Sequence, residues 1–445
     1  MNATATVSTA SGDTTAPRTR LVIVVRADPV ICGHSGEARN LAEAALERGF
    51  DQVRIVTWPI DRLSEVGLPL KPLDRVLPYS PGIVVERPEP VGDYRVPDGR
   101  WLAGLTGRLV ELFTDGVPTL ALSLYLSPHA VAVADAVRVA RETGLPVDVV
   151  TAAEAVGSDV TNVVRASVAE GRFGAAAHVL TSYLAHDVCL AVSRYTREVI
   201  VDAAAAVDER YGTRFAEQVA ERVGISYPAV DVASWIDLDP SATREALAAR
   251  GLERDGYVLF LSRLAAAKGV DDLIAGFEAS DARERLRLVI AGTGPAAWEL
   301  RERAAASPAS GRITFLADVD DDEKRHLMAG AAAFCLPSKP QPDFVETFGI
   351  ALVEKMLAGG GPVITTDTGG IGEAVGDCAI IVPPGAPQAI TEALDRVLRA
   401  SDAERARWAH RARSQALQFD RGIVLDRMLG HVDAVPRAWQ ARAVG

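Results

Sequence analysis

Apolar residues along this chain fall into short runs separated by amphipathic stretches. Residues 21–26 (LVIVVR) are a β-branched run between polar flanks, the pattern of a strand buried on both faces. A glycine-bearing loop, 27–36, follows. Residues 37–48 then place Ala38, Leu41, Ala42 and Ala45 at helical spacing, with Gly49 as C-cap. Residues 53–57 (VRIVT) read as the next strand. Strand, glycine loop, helix and strand are the opening of a doubly wound sheet. Further strands are expected near 82–86 and at 120–124, 147–152 and 188–193, with helices at 100–114, 130–143, 161–183 and 196–206.

A second series begins at 257–262 (YVLFLS). It predicts strands at 286–291, 313–316, 333–337, 362–366 and 379–382. Helices are expected at 271–279, 297–306, 320–329, 348–358, 389–400 and 403–418. The joint falls near 227–239, between Pro228 and Pro240. The expected fold is therefore α/β, two facing doubly wound Rossmann-like domains with a cleft between the carboxyl ends of their sheets. The expected division is a loose tail over 1–20, a first domain over 21–232, a second over 233–420 and a terminal segment over 421–445.

Composition changes this picture little. The chain has 445 residues, 48% hydrophobic and 24% charged, enough for two ordinary cores. Its net charge of −12 disfavours a nucleic-acid partner or an anionic lipid surface. The first 20 residues lack a signal-type apolar stretch, and no run approaches the ~18 apolar residues of a membrane span. Cys32, Cys189, Cys335 and Cys378 have no metal-site spacing and read as single buried thiols, which fits a reducing cytoplasm. The expected partners are small molecules, with a homodimer as a further option.

Four segments carry candidate chemistry. Arg263 and Lys268 lie five positions apart between a strand and Gly269, at a helix start; two cations there form an anion pocket. The alternative is a pair of solvated surface cations. Glu346 and Glu354 flank Thr347-Phe348-Gly349, and on one helix they fall on nearly the same face, where they can hold sugar hydroxyls. The alternative is one capping and one solvated carboxylate. Gly292-Thr293-Gly294 and Thr366-Asp367-Thr368-Gly369-Gly370-Ile371-Gly372-Glu373 each follow a strand, as a ligand-facing turn or a plain βα turn does. The acidic run 318–322 opens a helix, so helix-start acids explain it better than a metal site.

In order and spacing these segments resemble the retaining GT-B glycosyltransferases of family 4, which include mycothiol- and sucrose-type synthases. The matching stretches are R-x4-K-G at 263–269, G-T-G-P at 292–295, P-S…E-x-F-G…E at 337–354 and T-x-x-G-G-x-x-E at 366–373. The resemblance is strong over 255–400 and thinner over 20–230. It implies a sugar moved from a UDP- or GDP-linked donor to a small-molecule acceptor, with no cofactor and no metal. Arg263 and Lys268 would bind the donor diphosphate, Glu346 the donor sugar and Glu354 the ribose. Gly33, Gly36, Gly292, Gly294, Phe348, Gly349, Gly369, Gly370 and Glu373 complete the implied donor site. Base recognition is expected near 292–294 and 315–319, and the last helix would cross back to the first domain.

Two departures stand out. The family's Gly-Gly loop is here Gly33-His34-Ser35-Gly36, and its T-x-H-x-x-G stretch is here 151–157, with Glu154 at the His place. An altered pocket or a shifted alignment explains the second. Acceptor contacts are expected from His34, His129 and Glu154, with a structural histidine as the alternative for His129. The Ala- and Arg-rich chain suggests specialised, antibiotic-type metabolism. Open acceptors are ergothioneine receiving a GDP-octose in lincosamide biosynthesis, an aminocyclitol, or an inositol phosphate. A non-catalytic sugar-nucleotide-binding protein and a nucleotide-sugar epimerase are the competing classes.

Overall fold

A computed structural model describes residues 19–67, 69–92, 97–342 and 344–434 of the chain. The expected tail falls outside the described residues up to position 18, as does the end of the terminal segment from 435. Arg20, assigned to that tail, is instead the first residue of strand β1 (Arg20–Val24). Its guanidinium is buried, ion-paired with Asp115 at 2.8 Å and bonded to Thr119.

The first sheet adds β2 (Gln52–Val56), β3 (Ile83–Glu86), β4 (Thr119–Leu124), β5 (Val149–Ala155), β6 (Val188–Ala191) and β7 (Val223–Ile225). Its order is β3-β2-β1-β4-β5-β6-β7, and all its pairings are parallel. The second contains β8 (Tyr257–Leu261), β9 (Arg287–Ala291), β10 (Ile313–Leu316), β11 (Ala333–Leu336), β12 (Val363–Thr365) and β13 (Ile380–Ile381). Its order is β10-β9-β8-β11-β12-β13, again parallel throughout. Chain order reverses between β1 and β4, and again between β8 and β11. Crevices open at such switch points, beyond the strands' carboxyl ends.

Burial follows from strand geometry. Leu21 and Ile23 pack into one core and Val22 and Val24 into another, because successive side chains point to opposite faces. Both faces are covered, which is why β1 is apolar at every position after Arg20. Burying each such side chain contributes roughly 1.5–3 kcal/mol.

The chain ends where it began. The helix Arg421–Asp433 buries Val424, Leu425, Met428 and Val432 in the first core beside Ala38, Leu41 and Ala45. Arg48 binds Asp426 at 2.7 Å and Arg421 binds Glu47 at 2.6 Å along this seam. Among the described residues no helix is long and apolar enough to cross a membrane.

Several elements differ from expectation. The first helix runs Gly33–Glu47, four residues earlier than its apolar periodicity indicates. The single helix expected at 161–183 is broken into Val160–Arg165, Ala166–Ala169 and Phe173–Leu184, with Gly171 at φ 72° in the break. Phe215–Arg222 is an additional helix. Of the four thiols, Cys189 and Cys335 are buried, but Cys32 and Cys378 are half-exposed.

Candidate active site between the two sheets

The loop after β8 carries both candidate cations. Ala266–Lys268 form one 3-10 turn, and Gly269 at φ 68° then starts the helix Val270–Ala279. A Cβ at Gly269 would lie 2.0 Å from the Pro337 carbonyl oxygen, so only glycine lets this loop pack against the loop after β11. That packing brings Lys268 to Glu346, and the lysine Nζ donates to the Glu346 carboxylate. Both side chains are nearly buried. Phe344 lies under the pair, its ring centre 4.9 Å from Lys268 Nζ and 5.9 Å from the Arg263 guanidinium. Arg263 is exposed, and no carboxylate pairs with it among the described residues.

Glu346 and Glu354 do not share a helix face. The helix is Ile350–Ala358, and Gly349 at φ 95° is its N-cap, so Glu346 belongs to the preceding loop. Glu354 binds Lys324 at 2.8 Å, and Lys324 in turn sits 5.0 Å from the Trp235 ring centre. The helix began two residues later than expected, which separated the two carboxylates.

A cleft of about 480 Å³ opens between the domains. Of the expected residues, Gly33, His34, Arg263, Lys268, Glu346, Phe348 and Gly349 line it. The helices Gly33–Glu47 and Ile350–Ala358 both start there. A Cβ on Gly33 would lie 3.1 Å from the Ile350 side chain. Two positive helix ends and two cations thus converge, an arrangement that favours an anion.

The other expected residues lie off this wall. Gly292 and Gly370 serve backbone packing: a Cβ on Gly292 would lie 2.0 Å from the Ser262 oxygen, and one on Gly370 1.9 Å from the Thr347 oxygen. Gly294 and Gly369 lie in the same two turns. They back the loops that hold Arg263 and Glu346. Gly36 lies one turn into the first helix, away from the wall.

Glu373, expected on the donor, ties the two domains instead. Its carboxylate accepts from the Arg194 amide at 3.0 Å, the Tyr195 amide at 3.3 Å and the Tyr227 hydroxyl at 3.0 Å. Those amides begin the helix Arg194–Tyr211, where an acid is favoured. Glu373→Ala is expected to cost about 1–3 kcal/mol of stability. It should also widen the particle in small-angle scattering; an unchanged profile contradicts this tie. Phe348 supports the same joint, stacked on Tyr227 with ring centres 5.5 Å apart and edge-on to Phe419 at 5.0 Å.

His129 is structural rather than ligand-facing. It is buried, its Nε2 accepts from Trp58 Nε1–H at 3.2 Å, and Tyr125 packs edge-on at 6.0 Å. Burial, then the charge of Arg26, lowers its pKa to about 3. His34 does line the cleft, and burial with Arg26 nearby lowers its pKa to about 3 as well. Both imidazoles are therefore neutral at pH 7. Glu154 is fully buried, behind the wall rather than on it.

The wall also contains residues that pattern analysis passed over. Arg26 projects from the end of β1 and stacks on Tyr125, 5.0 Å from its ring centre. Glu37, in the first helix, is 2% exposed yet reaches the cleft. A charged residue just beyond a switch-point strand was the available signal for Arg26. Glu37 gave none, because a helix carries many surface glutamates. Asp159 braces the wall from behind, accepting the amides of Leu126, Gly157 and Val160 at 2.8, 2.8 and 2.9 Å. Asp320 caps the helix Asp321–Gly330, accepting from the amides of Asp322 and Glu323.

Residues 244–415 match the family model described as glycosyl transferases group 1. O-antigen chain mannosyltransferase B of Escherichia coli is 27% identical over 188 residues, covering 42% of this chain and 48% of that protein. Phosphatidyl-myo-inositol mannosyltransferase of Mycolicibacterium smegmatis is 32% identical over 201 residues, 44% of this chain and 49% of the relative. The chain thus spans about half the length of the curated relatives it matches. Anabaena HepE, solved with UDP and glucose, superposes with a TM-score of 0.66 at 18% identity, over 93% of this chain and 99% of that one. The described residues therefore have the two-domain GT-B fold, and residues 244–415 are similar to the group 1 glycosyl transferases.

Proposed function

We propose that this chain is a retaining glycosyltransferase, moving a sugar from a UDP- or GDP-linked donor to a small-molecule acceptor. One observation carries the reading: Arg263, Lys268 and two helix N-termini converge on the interdomain cleft. A nucleoside diphosphate suits that arrangement in charge. Similarity of residues 244–415 to glycosyl transferases, and the UDP bound to HepE, support the same donor class.

In this reading the second domain holds the donor and the first the acceptor. The bond from the anomeric carbon to the diphosphate oxygen breaks, and its electron pair leaves with the diphosphate. Arg263 and Lys268 stabilise that charge, a preorganised electrostatic contribution. The acceptor bonds to the anomeric carbon on the same face, and its proton passes to the departing phosphate oxygen. Glu346 holds sugar hydroxyls while aiming Lys268. Its ion pair makes it a poor nucleophile. Charge supplied by the protein makes transfer independent of metal.

A cytoplasmic enzyme of specialised metabolism is the setting we favour. Ergothioneine, aminocyclitols and inositol phosphates are the acceptors under consideration. The test is product analysis with UDP- and GDP-hexoses in the presence of EDTA. The expected product keeps the donor's anomeric configuration by NMR. An inverted product, or a strict need for a divalent cation, contradicts this reading.

A further inference from the structure

On the first-domain side of the cleft, two carboxyl groups are buried against each other. Glu37 is 2% exposed and lines the cleft; Glu154, on β5, is fully buried behind it. Glu37 Oε1, both oxygens of Glu154 and the Oγ of Ser226 have no hydrogen-bond partner outside this cluster. Ser226 follows β7 and is itself 4% exposed. A proton between the carboxyls and the Ser226 hydroxyl serve these inner oxygens; what stays unmatched is the negative charge of Glu37 on the cleft wall.

No ion pair reaches either carboxyl among the described residues. Burial raises the pKa of both groups, and the charge of Glu37 raises that of Glu154 further. Two carboxyls in contact do not both ionise readily, so the pair holds a shared proton into the neutral range. The groups acting on it are Asp159 from the turn after β5, Tyr183 from the helix Phe173–Leu184, and the Ala229 amide, which bonds Glu37. His34, one turn earlier on the helix of Glu37, is neutral.

We propose that Glu37, backed by Glu154, receives a protonated amine of the acceptor, so that the acceptor is an amino compound. This rests on the glycosyltransferase reading and names its acceptor class. The ionised Glu37 carboxylate on the cleft wall is an acceptor with no cation paired to it, and an ammonium offers three donors and a compensating charge. A neutral hydroxyl supplies one donor and no charge. A quaternary ammonium supplies no N–H and leaves the oxygens unpaired. Glu37 contacts the amine; Glu154 is a positioning residue, its carboxyl proton donating to Glu37 and favouring the ionised form of that group.

The test is calorimetry with 2-deoxystreptamine, its N-acetylated form and myo-inositol, each after saturation with UDP or GDP. Wild type is expected to bind 2-deoxystreptamine at least tenfold more tightly than the two uncharged cyclitols. Glu37→Gln should abolish that preference while holding its UDP or GDP affinity within twofold. Protonation of Glu37 at low pH should weaken amine binding. Glu154→Leu removes the donor that holds the pKa of Glu37 down, so that pKa rises. Amine binding should then fall off at a pH at least one unit higher than in wild type.

Equal binding of the three cyclitols, or binding of none, overturns the proposal. So does a preference retained by Glu37→Gln, or an unmoved acid limb in Glu154→Leu. Failure of wild type to bind any nucleoside diphosphate overturns the transferase reading itself, and this inference falls with it.

Discussion

Replacing Lys268 with alanine is expected to lower nucleotide-sugar turnover by about 10²–10³-fold, or ~2.7–4 kcal/mol, the loss typical of one preorganised oxyanion donor. Its side chain is 10% exposed and aimed into the cleft by Glu346 and by the close packing at Gly269. Flexible surface lysines lose far less on truncation. The substitution also strands the Glu346 carboxylate, which costs stability of its own, about 1–3 kcal/mol. The double variant Lys268→Ala/Glu346→Ala separates the two effects. It should recover much of the lost thermal stability and none of the turnover. Single-turnover kinetics within threefold of wild type for Lys268→Ala contradicts the assignment.

The largest stability effect is expected at Asp159, far from the transferring atoms. Its carboxylate is fully buried and accepts from the amides of Leu126, Val156, Gly157 and Val160. It therefore joins the segment after β4 to the turn after β5, behind the cleft wall. Asp159→Ala leaves these amides buried without partners. Each unsatisfied donor costs about 1–3 kcal/mol, though such losses do not add fully. A total near 4–5 kcal/mol would be among the larger effects of a single substitution. For a domain of this size that corresponds to a fall of roughly 10–15 °C in melting temperature. Asp159→Asn should recover part of it, since the amide oxygen can still accept. A fall below about 3 °C in the alanine variant is inconsistent with the brace.

These two residues show what could be seen in the sequence. Lys268 was visible because its neighbours are informative: an apolar strand before it, a glycine after it and Arg263 five positions earlier. The alternation of strands and helices likewise revealed two doubly wound halves, since buried parallel strands have near-continuous apolar runs. Asp159 carried no such mark, because its partners are backbone amides brought together by the fold. Glu37 was hidden for a related reason: in a linear helix pattern nothing separates a buried glutamate from a solvated one. The link between Glu346 and Glu354 failed on a boundary. A helix starting at Ile350 instead of Phe348 leaves Glu346 in the loop. Helix ends are set by capping geometry, here the positive φ of Gly349, which apolar spacing does not encode. Glu373 was assigned from motif position alone, and its contacts across the domain joint depend on tertiary packing.

Donor binding in the cleft depends, in the proposed function, on Arg263 and Lys268 holding a nucleoside diphosphate. Calorimetry with UDP, GDP, ADP and TDP on wild type and on Arg263→Ala/Lys268→Ala tests it most directly. Wild type is expected to bind one base at micromolar affinity, with a loss of at least about 100-fold in the double variant, ~2.7 kcal/mol. Absence of binding by all four nucleotides, or equal binding by both proteins, would contradict it.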